Sequence, residues 1–244
     1  MEARGITKRF GSVVALDRVD FHVRRAEVVG LVGDNGAGKS TLIKVLTGYH
    51  QPDEGEIWFE GRRVTLGSPR QARALGIETV YQDLALVETM SIARNFFLGA
   101  EPERRAGGVR WLDRRQMREK TRQALLDLGI TSLRSADEDV AVLSGGERQA
   151  IAIGRALHFG VKLLILDEPT SALSIKETQK VLGYIEQSRR RGLSVIFITH
   201  NLYHVYPVAD RIVVLQHGRK LREFQKGETT ADELAAIIAG HAAG

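Results

Sequence analysis

The chain predicts an α/β fold built around a phosphate-binding loop, and three observations carry that expectation. Residues 27–32 are a short apolar run suited to a buried strand. Gly33, Asp34, Asn35, Gly36, Ala37, Gly38, Lys39, Ser40 and Thr41 follow in the P-loop pattern G-x-x-x-x-G-K-[ST]. Two more aliphatic runs, 163–166 and 194–198, end in Asp167-Glu168 and Thr199-His200.

Glycines let such a loop curl until its N–H groups converge on phosphate oxygens, and the N-terminus of the following helix adds partial positive charge. Leu42, Ile43, Val45 and Leu46 recur with helical spacing after the loop, which completes a strand–loop–helix context. Lys39 is expected to reach the β- and γ-phosphates and the Ser40 hydroxyl to ligand Mg²⁺, so the expected ligand is a nucleoside triphosphate.

At 244 residues the chain is long enough for one large domain or a domain with a subdomain. It has no cysteine, which excludes disulfides and cysteine metal sites. No apolar run approaches membrane-spanning length and no signal-peptide pattern opens the chain, so the expected location is cytoplasmic. The net charge of +5 is dispersed, and short runs such as Arg114-Arg115 and Arg189-Arg190-Arg191 read as solvated faces rather than a nucleic-acid site.

Taken in order, residues 3–23 read as antiparallel strands turning at Gly11 and near Asp17. Phe10 is either an adenine platform or a core phenylalanine. A breaker-rich loop (48–55) precedes a hairpin turning at Gly61. Ser68-Pro69 opens a helix that Gly76 ends, and strand 77–81 delivers Gln82. From Asp83 to about Val142 helical periods dominate, at 92–98 and at 113–128 with Gly129 as the stop. Pro102 and Gly107-Gly108 mark the loop between them. Leu143-Ser144-Gly145-Gly146-Glu147 opens a helix over 149–157 as a second backbone nest for an anion. Asp167 at its strand end suits Mg²⁺, while Glu168, pointing elsewhere, polarises water. Ser174-x-x-Glu177 is a capping box for a helix through Gln187. His200 at the end of strand 194–198 is placed to donate to the γ-phosphate. Two strands, 211–216 and 219–224, turn at His217-Gly218, and Thr230-x-x-Glu233 caps a last helix ending at Gly240.

With these pieces in place the chain resembles, over essentially its full length, the nucleotide-binding subunit of an ATP-binding cassette (ABC) transporter. The P-loop, Gln82, the 143–147 signature, the strand ending in Asp167-Glu168 and His200 fall in family order. Residues 33–44, 82–86, 91–99 and 172–174 look most like the ATPases of monosaccharide importers. The sequence departs from the pattern at Ser174, where many members carry Asp, and at Phe10, where tyrosine is usual. It also contains one cassette where most sugar-group ATPases fuse two.

The resemblance implies a P-loop NTPase with a RecA-like mixed sheet core, an N-terminal antiparallel β subdomain and a helical insert. Residues 1–82 and 155–226 would form the core with the β subdomain, 83–154 the helical subdomain, and 227–244 a C-terminal helix. It implies ATP and Mg²⁺ as ligands, held by Phe10 and residues 33–41, with Ser40, Gln82 and Asp167 around the metal. Lys39 would hold phosphates, Glu168 act as general base, and His200 sense the γ-phosphate. Ser144, Gly145 and Gly146 would act across a head-to-tail homodimer. Implied partners are integral membrane permease subunits and a substrate-binding protein, with the chain peripheral on the inner face of the membrane and no nucleic acid involved. Leu84, Leu86, Val87, Phe96 and Phe97 are candidates for docking the membrane subunits. A branched-chain amino acid or lipid transporter is the alternative reading, and a soluble non-transport ABC ATPase the next.

Overall fold

The computed structural model describes residues 1–106, 109–128, 130 and 135–239. β1 (Glu2–Phe10) and β2 (Val13–His22) pair antiparallel through the expected turn at Gly11. No second turn forms near Asp17: β2 runs through it, and register shifts with Arg18 at φ 48° absorb the break in alternation. β3 (Val28–Val32) leads through the phosphate loop into α1 (Lys39–Leu46). β4 (Glu54–Phe59) and β5 (Arg62–Val64) form the hairpin turning at Gly61. Gly55, expected in the preceding loop, belongs to β4 because the strand passes the Arg4 and Gly5 carbonyls too closely for a side chain.

α2 (Pro69–Leu75), capped by Ser68 and closed by Gly76, precedes β6 (Ile77–Val80). The insert holds α3 (Ile92–Phe97), a hairpin of β7 (Glu103–Ala106) and β8 (Val109–Leu112), and α4 (Arg114–Asp127). The hairpin replaces part of the expected loop; its one alternating stretch, Val109-Arg110-Trp111, is too short to mark a strand, and all four β8 residues are exposed. Gly107, Gly108, Gly129 and Gly240, read as loop or stop signals, lie outside the described residues. A 3₁₀ turn (Val140–Val142) leads into α5 (Gly145–His158), β9 (Leu163–Asp167), α6 (Ile175–Arg190) and β10 (Ser194–Ile198). α7 (Leu202–Val205), β11 (Arg211–Gln216), β12 (Arg219–Gln225) and α8 (Ala231–Ile238) complete the chain.

Two sheets organise these elements. β2-β1-β4-β5 is antiparallel, and β12-β11-β3-β10-β9-β6 is parallel except at β12. Both faces of the parallel sheet are covered, which is why its strands are continuously apolar. Leu164, Leu166, Val195 and Phe197 face one core with α5 and α6, while Leu163, Ile165, Ile196 and Ile198 face another with α1 and the antiparallel sheet. Phe96 and Phe97 are buried in the first of these cores, so they serve packing and drop out as docking residues.

One buried arginine ties the two sheets together. Arg211 is fully buried in β11; its guanidinium donates to Glu27 at 2.8 and 3.1 Å and to the His22 carbonyl at 2.6 Å, with Glu223 at 3.0 Å. Burial alone would raise the Glu27 carboxyl, but Arg211 and the Arg24 amide hold it below its ordinary value.

Arg211→Met should therefore leave Glu27 uncompensated and cost roughly 3–5 kcal/mol, read from urea unfolding. Because the folded Glu27 pKa is depressed, its contribution is complete above the unfolded value of 4.5 and fades as pH falls through the folded one. A midpoint that Arg211→Met leaves unmoved would mean that the pair is idle.

Candidate active site

Four neighbouring parallel strands, β3, β10, β9 and β6, open their carboxyl ends on one edge of the sheet. That is where α/β sheets place ligand crevices. β3 delivers the phosphate loop, β10 His200, β9 Asp167 and Glu168, and β6 Gln82. All of them border one cleft of about 620 Å³, with residues 35–41 along its floor. α1 begins at Lys39 with no side-chain cap, so its first amides are left for an anion.

Lys39 is almost fully buried, and its Nζ donates to the carbonyls of Gly33 (2.6 Å) and Asp34 (2.9 Å). Burial lowers its pKa against the pull of Glu168, Asp34 and Asp167. Gly33 and Asp34 thus brace the lysine from behind and do not line the cleft. Phe10 does not line it either: its ring packs edge-on against His50 at 5.1 Å, and Val13, Val14 and Ala15 border the cleft instead.

The acid pair divides in environment. Asp167 ends β9 and has its pKa raised, first by burial and then by the charge of Glu168, with Lys39 and Lys44 opposing. Glu168 leaves the strand at φ 48°, a conformation costing a non-glycine residue of order 1–3 kcal/mol. Its carboxylate accepts from Thr199 Oγ1 (2.9 Å), from the His200 amide (3.0 Å) and from His200 Nδ1 (2.7 Å). Sequence reading found Glu168 and His200 but not Thr199; the signal available was a hydroxyl beside the histidine at the same strand end. The His217-Gly218 turn was also read only as a turn. Yet Gly218 N donates to Ala37 O at 3.0 Å, and both residues border the cleft.

Ser144, Gly145 and Gly146 are not among the residues around this cleft. Ser144 caps α5 in a full capping box with Glu147. Glu177 fastens this turn to the next: Oε1 accepts from Gly146 N (3.2 Å), and Oε2 accepts from Ser174 N (3.0 Å) and Ser174 Oγ (2.7 Å). Ser174 also caps α6, so the residue that departs from the family's usual aspartate has a structural task. A Cβ on Gly145 would meet Leu173 at 2.7 Å, and one on Gly146 would meet Glu177 at 3.0 Å, so the two turns pack too closely for side chains there.

A P-loop facing strand-end acids, with a second glycine turn carried on a separate helical segment, defines the nucleotide-hydrolysing cassettes among P-loop proteins. The ABC transporter family model matches residues 16–171, and the chain belongs to that family; it is an ATPase. It is 45% identical over 243 residues to the fructose import ATP-binding protein of Rhizobium meliloti, covering 98% of this chain and 94% of that one. Against the xylose/arabinose import ATP-binding protein of Sulfolobus acidocaldarius the identity is 44% over 244 residues, covering 100% and 95%. The crystal structure of a nucleotide-free ATP-binding cassette from an ABC transporter matches with a TM-score of 0.82 at 26% identity, covering 98% and 94%.

The Glu177 knot yields a sign-definite expectation. Hydrogen bonds from Ser174 and the Gly146 amide hold its pKa down to about 2 from 4.5, so the knot should persist at pH 4 and loosen only as pH falls toward the folded value. Glu177→Gln should speed hydrogen exchange at the Gly146 and Ser174 amides at neutral pH; unchanged protection would show that the carboxylate is dispensable.

Proposed function

We propose that the chain is the ATP-hydrolysing subunit of a monosaccharide importer. The import ATP-binding proteins of known sugars, matched at 44–45% identity from end to end, support the substrate class. The observation that carries the chemistry is the Glu168 carboxylate, held by three donors at the rim of the phosphate-loop cleft.

In the proposed mechanism the loop amides and Lys39 hold the phosphates, and Glu168 takes the proton of the attacking water. In-line phosphoryl transfer to water asks mainly for positioning and charge stabilisation. Thr199 donates its hydroxyl to Oε2 and the His200 amide donates to Oε1, so the carboxylate is fixed from both sides. With Nδ1 donating to Glu168, the His200 ring can also donate to the γ-phosphate through Nε2 only as imidazolium.

Ser40, Gln82 and Asp167 border the same cleft and offer a hydroxyl, an amide carbonyl and a carboxylate, the hard oxygen donors that Mg²⁺ takes. The raised Asp167 pKa fits this reading, because a cation would relieve the strain of two adjacent carboxylates. Mg²⁺ would supply charge neutralisation for the β- and γ-phosphate oxygens.

Ser144 and Gly146, remote from their own cleft, are proposed to complete the cleft of a second copy, in an isologous pair enclosing two ATP molecules. No helix among the described residues is long and apolar enough to cross a membrane. Transport therefore calls for permease subunits, with a substrate-binding protein delivering the sugar and this chain on the inner membrane face. A groove of about 370 Å³ bordered by Leu84, Leu86, Tyr81 and Leu98 is the proposed permease seat; Val87, whose amide and carbonyl are tied to Asn95, lies outside it.

Glu168→Gln should bind ATP normally, lose hydrolysis by roughly 10²–10⁴-fold, and shift from monomer to dimer mass with Mg·ATP in light scattering. Full turnover in that variant removes Glu168 as the base. Ser144→Arg should abolish turnover but not binding; normal turnover would cancel the cross-copy role. Cells lacking this chain should lose uptake of a labelled monosaccharide, and intact uptake of every sugar tried would move the substrate to another class.

A further inference from the structure

His204 stands half-buried on α7, four residues beyond His200, and the chemistry proposed above makes no use of it. Its ring meets a polar group at each nitrogen: Nε2 lies 3.2 Å from Asn201 Nδ2, and Nδ1 lies 2.9 Å from Thr170 Oγ1. The Asn201 amide is not free to turn over, because its Oδ1 caps α7 by accepting from Tyr203 N at 3.1 Å. Nδ2 therefore donates to the ring, and Nε2 is the bare, accepting nitrogen. The proton of the neutral imidazole is then on Nδ1, and Thr170 Oγ1 accepts it. Burial lowers the His204 pKa, against the pull of Glu168 and with help from His200, in keeping with a neutral ring.

Thr170 is almost fully buried, two residues after Glu168. Asn201 N donates to Thr199 Oγ1 at 3.0 Å, and Thr199 Oγ1 donates to Glu168 Oε2. The hydrogen bonds thus close a ring that runs from the Glu168 carboxylate through Thr199, Asn201, His204 and Thr170, and back along the chain to Glu168. One end of the ring holds the side chain, and the other holds the peptide that leaves it. A non-glycine residue keeps a positive φ only where its surroundings over-determine it, and Glu168 sits at 48° between these two anchors. On its near side the Glu168 amide donates to Ile198 O at 2.9 Å. On its far side Ser171 N returns to Glu168 O at 3.1 Å within the loop itself, while His204 ties the loop to the 199–204 segment.

We propose that His204, protonated at Nδ1, is a positioning residue for hydrolysis: through Thr170 it holds the chain after Glu168 and so aims the Glu168 carboxylate. The inference rests on Glu168 being the base. His204 and Thr170 are not among the residues around the cleft, so slack in this link should appear in turnover and not in the handling of nucleotide.

The test is steady-state ATP hydrolysis by the full chain with Mg²⁺. His204→Phe should lower kcat about tenfold with KM for ATP unchanged, and Thr170→Val should do the same. The two together should cost no more than either, since both cut one link. His204→Asn, which keeps an N–H close to the place of Nδ1, should recover most of the loss. In a Glu168→Gln background His204→Phe should cost nothing further, whereas a general loss of stability would act in both backgrounds. Long-range ¹⁵N–¹H correlation spectra should show the His204 ring, assigned by its disappearance in His204→Asn, protonated at Nδ1 and bare at Nε2 at neutral pH. Unchanged kcat in His204→Phe, losses that add, a further loss in the Glu168→Gln background, or a proton on Nε2 overturns the inference and leaves the base standing. Full turnover in Glu168→Gln alone removes the base, and the inference with it.

Discussion

Parallel pairing of β3, β10, β9 and β6 is the constraint on which the rest of the site depends. Parallel neighbours end together, so residues 33–41, Asp167-Glu168, Gln82 and His200 meet at one edge although they span more than 160 positions of the chain. The arrangement holds only while both faces of the sheet are buried, because parallel strands of this kind need cover on each side. One cover is α1 with the antiparallel sheet, and the other is the layer of α5 and α6. Arg211, paired with Glu27 and donating to the His22 carbonyl of β2, joins the two β layers behind the site, at the opposite end of β3 from the phosphate loop.

Legibility in the sequence followed local determinacy. The P-loop, the aliphatic runs of β9 and β10, and the capping boxes at Ser174 and Thr230 could be read because each is written within a few residues. The failures are contacts between distant segments. Nothing near Phe97 tells a core aromatic from a docking one; its place against α5 does. In the β7–β8 hairpin the only alternation, Val109-Arg110-Trp111, is three residues long, too short to tell a strand from a loop where pairing occurs. Asp17 reads as a turn residue because a bulge and a turn interrupt alternation in the same way. Thr199 escaped for a different reason: its neighbour His200 is the chemically conspicuous residue, and a hydroxyl acquires meaning only once Glu168 lies 2.9 Å away.

Glu177 shows how the two glycine turns are made into one body. Its carboxylate joins the start of α5 to the start of α6, thirty-one residues apart, and the missing side chains at Gly145 and Gly146 allow the contact. α6 follows the loop that leaves Glu168, so packed atoms connect the end of that loop with the turn at Ser144. The Ser174 hydroxyl completes this link by donating to the Glu177 carboxylate.

The acid pair itself explains why two adjacent carboxylates need not compete. Asp167 keeps the strand's direction, stays partly buried, and accepts a raised pKa; that makes it a poor isolated anion and a good place for a cation. Glu168 leaves the strand in the left-handed region, and its carboxylate turns toward the end of β10 and collects three hydrogen bonds. The backbone strain and the clamp are parts of one device: a residue at ordinary strand angles would continue the alternation of β9 and could not reach both Thr199 and His200. The two side chains part because the chain leaves the strand one residue after Asp167.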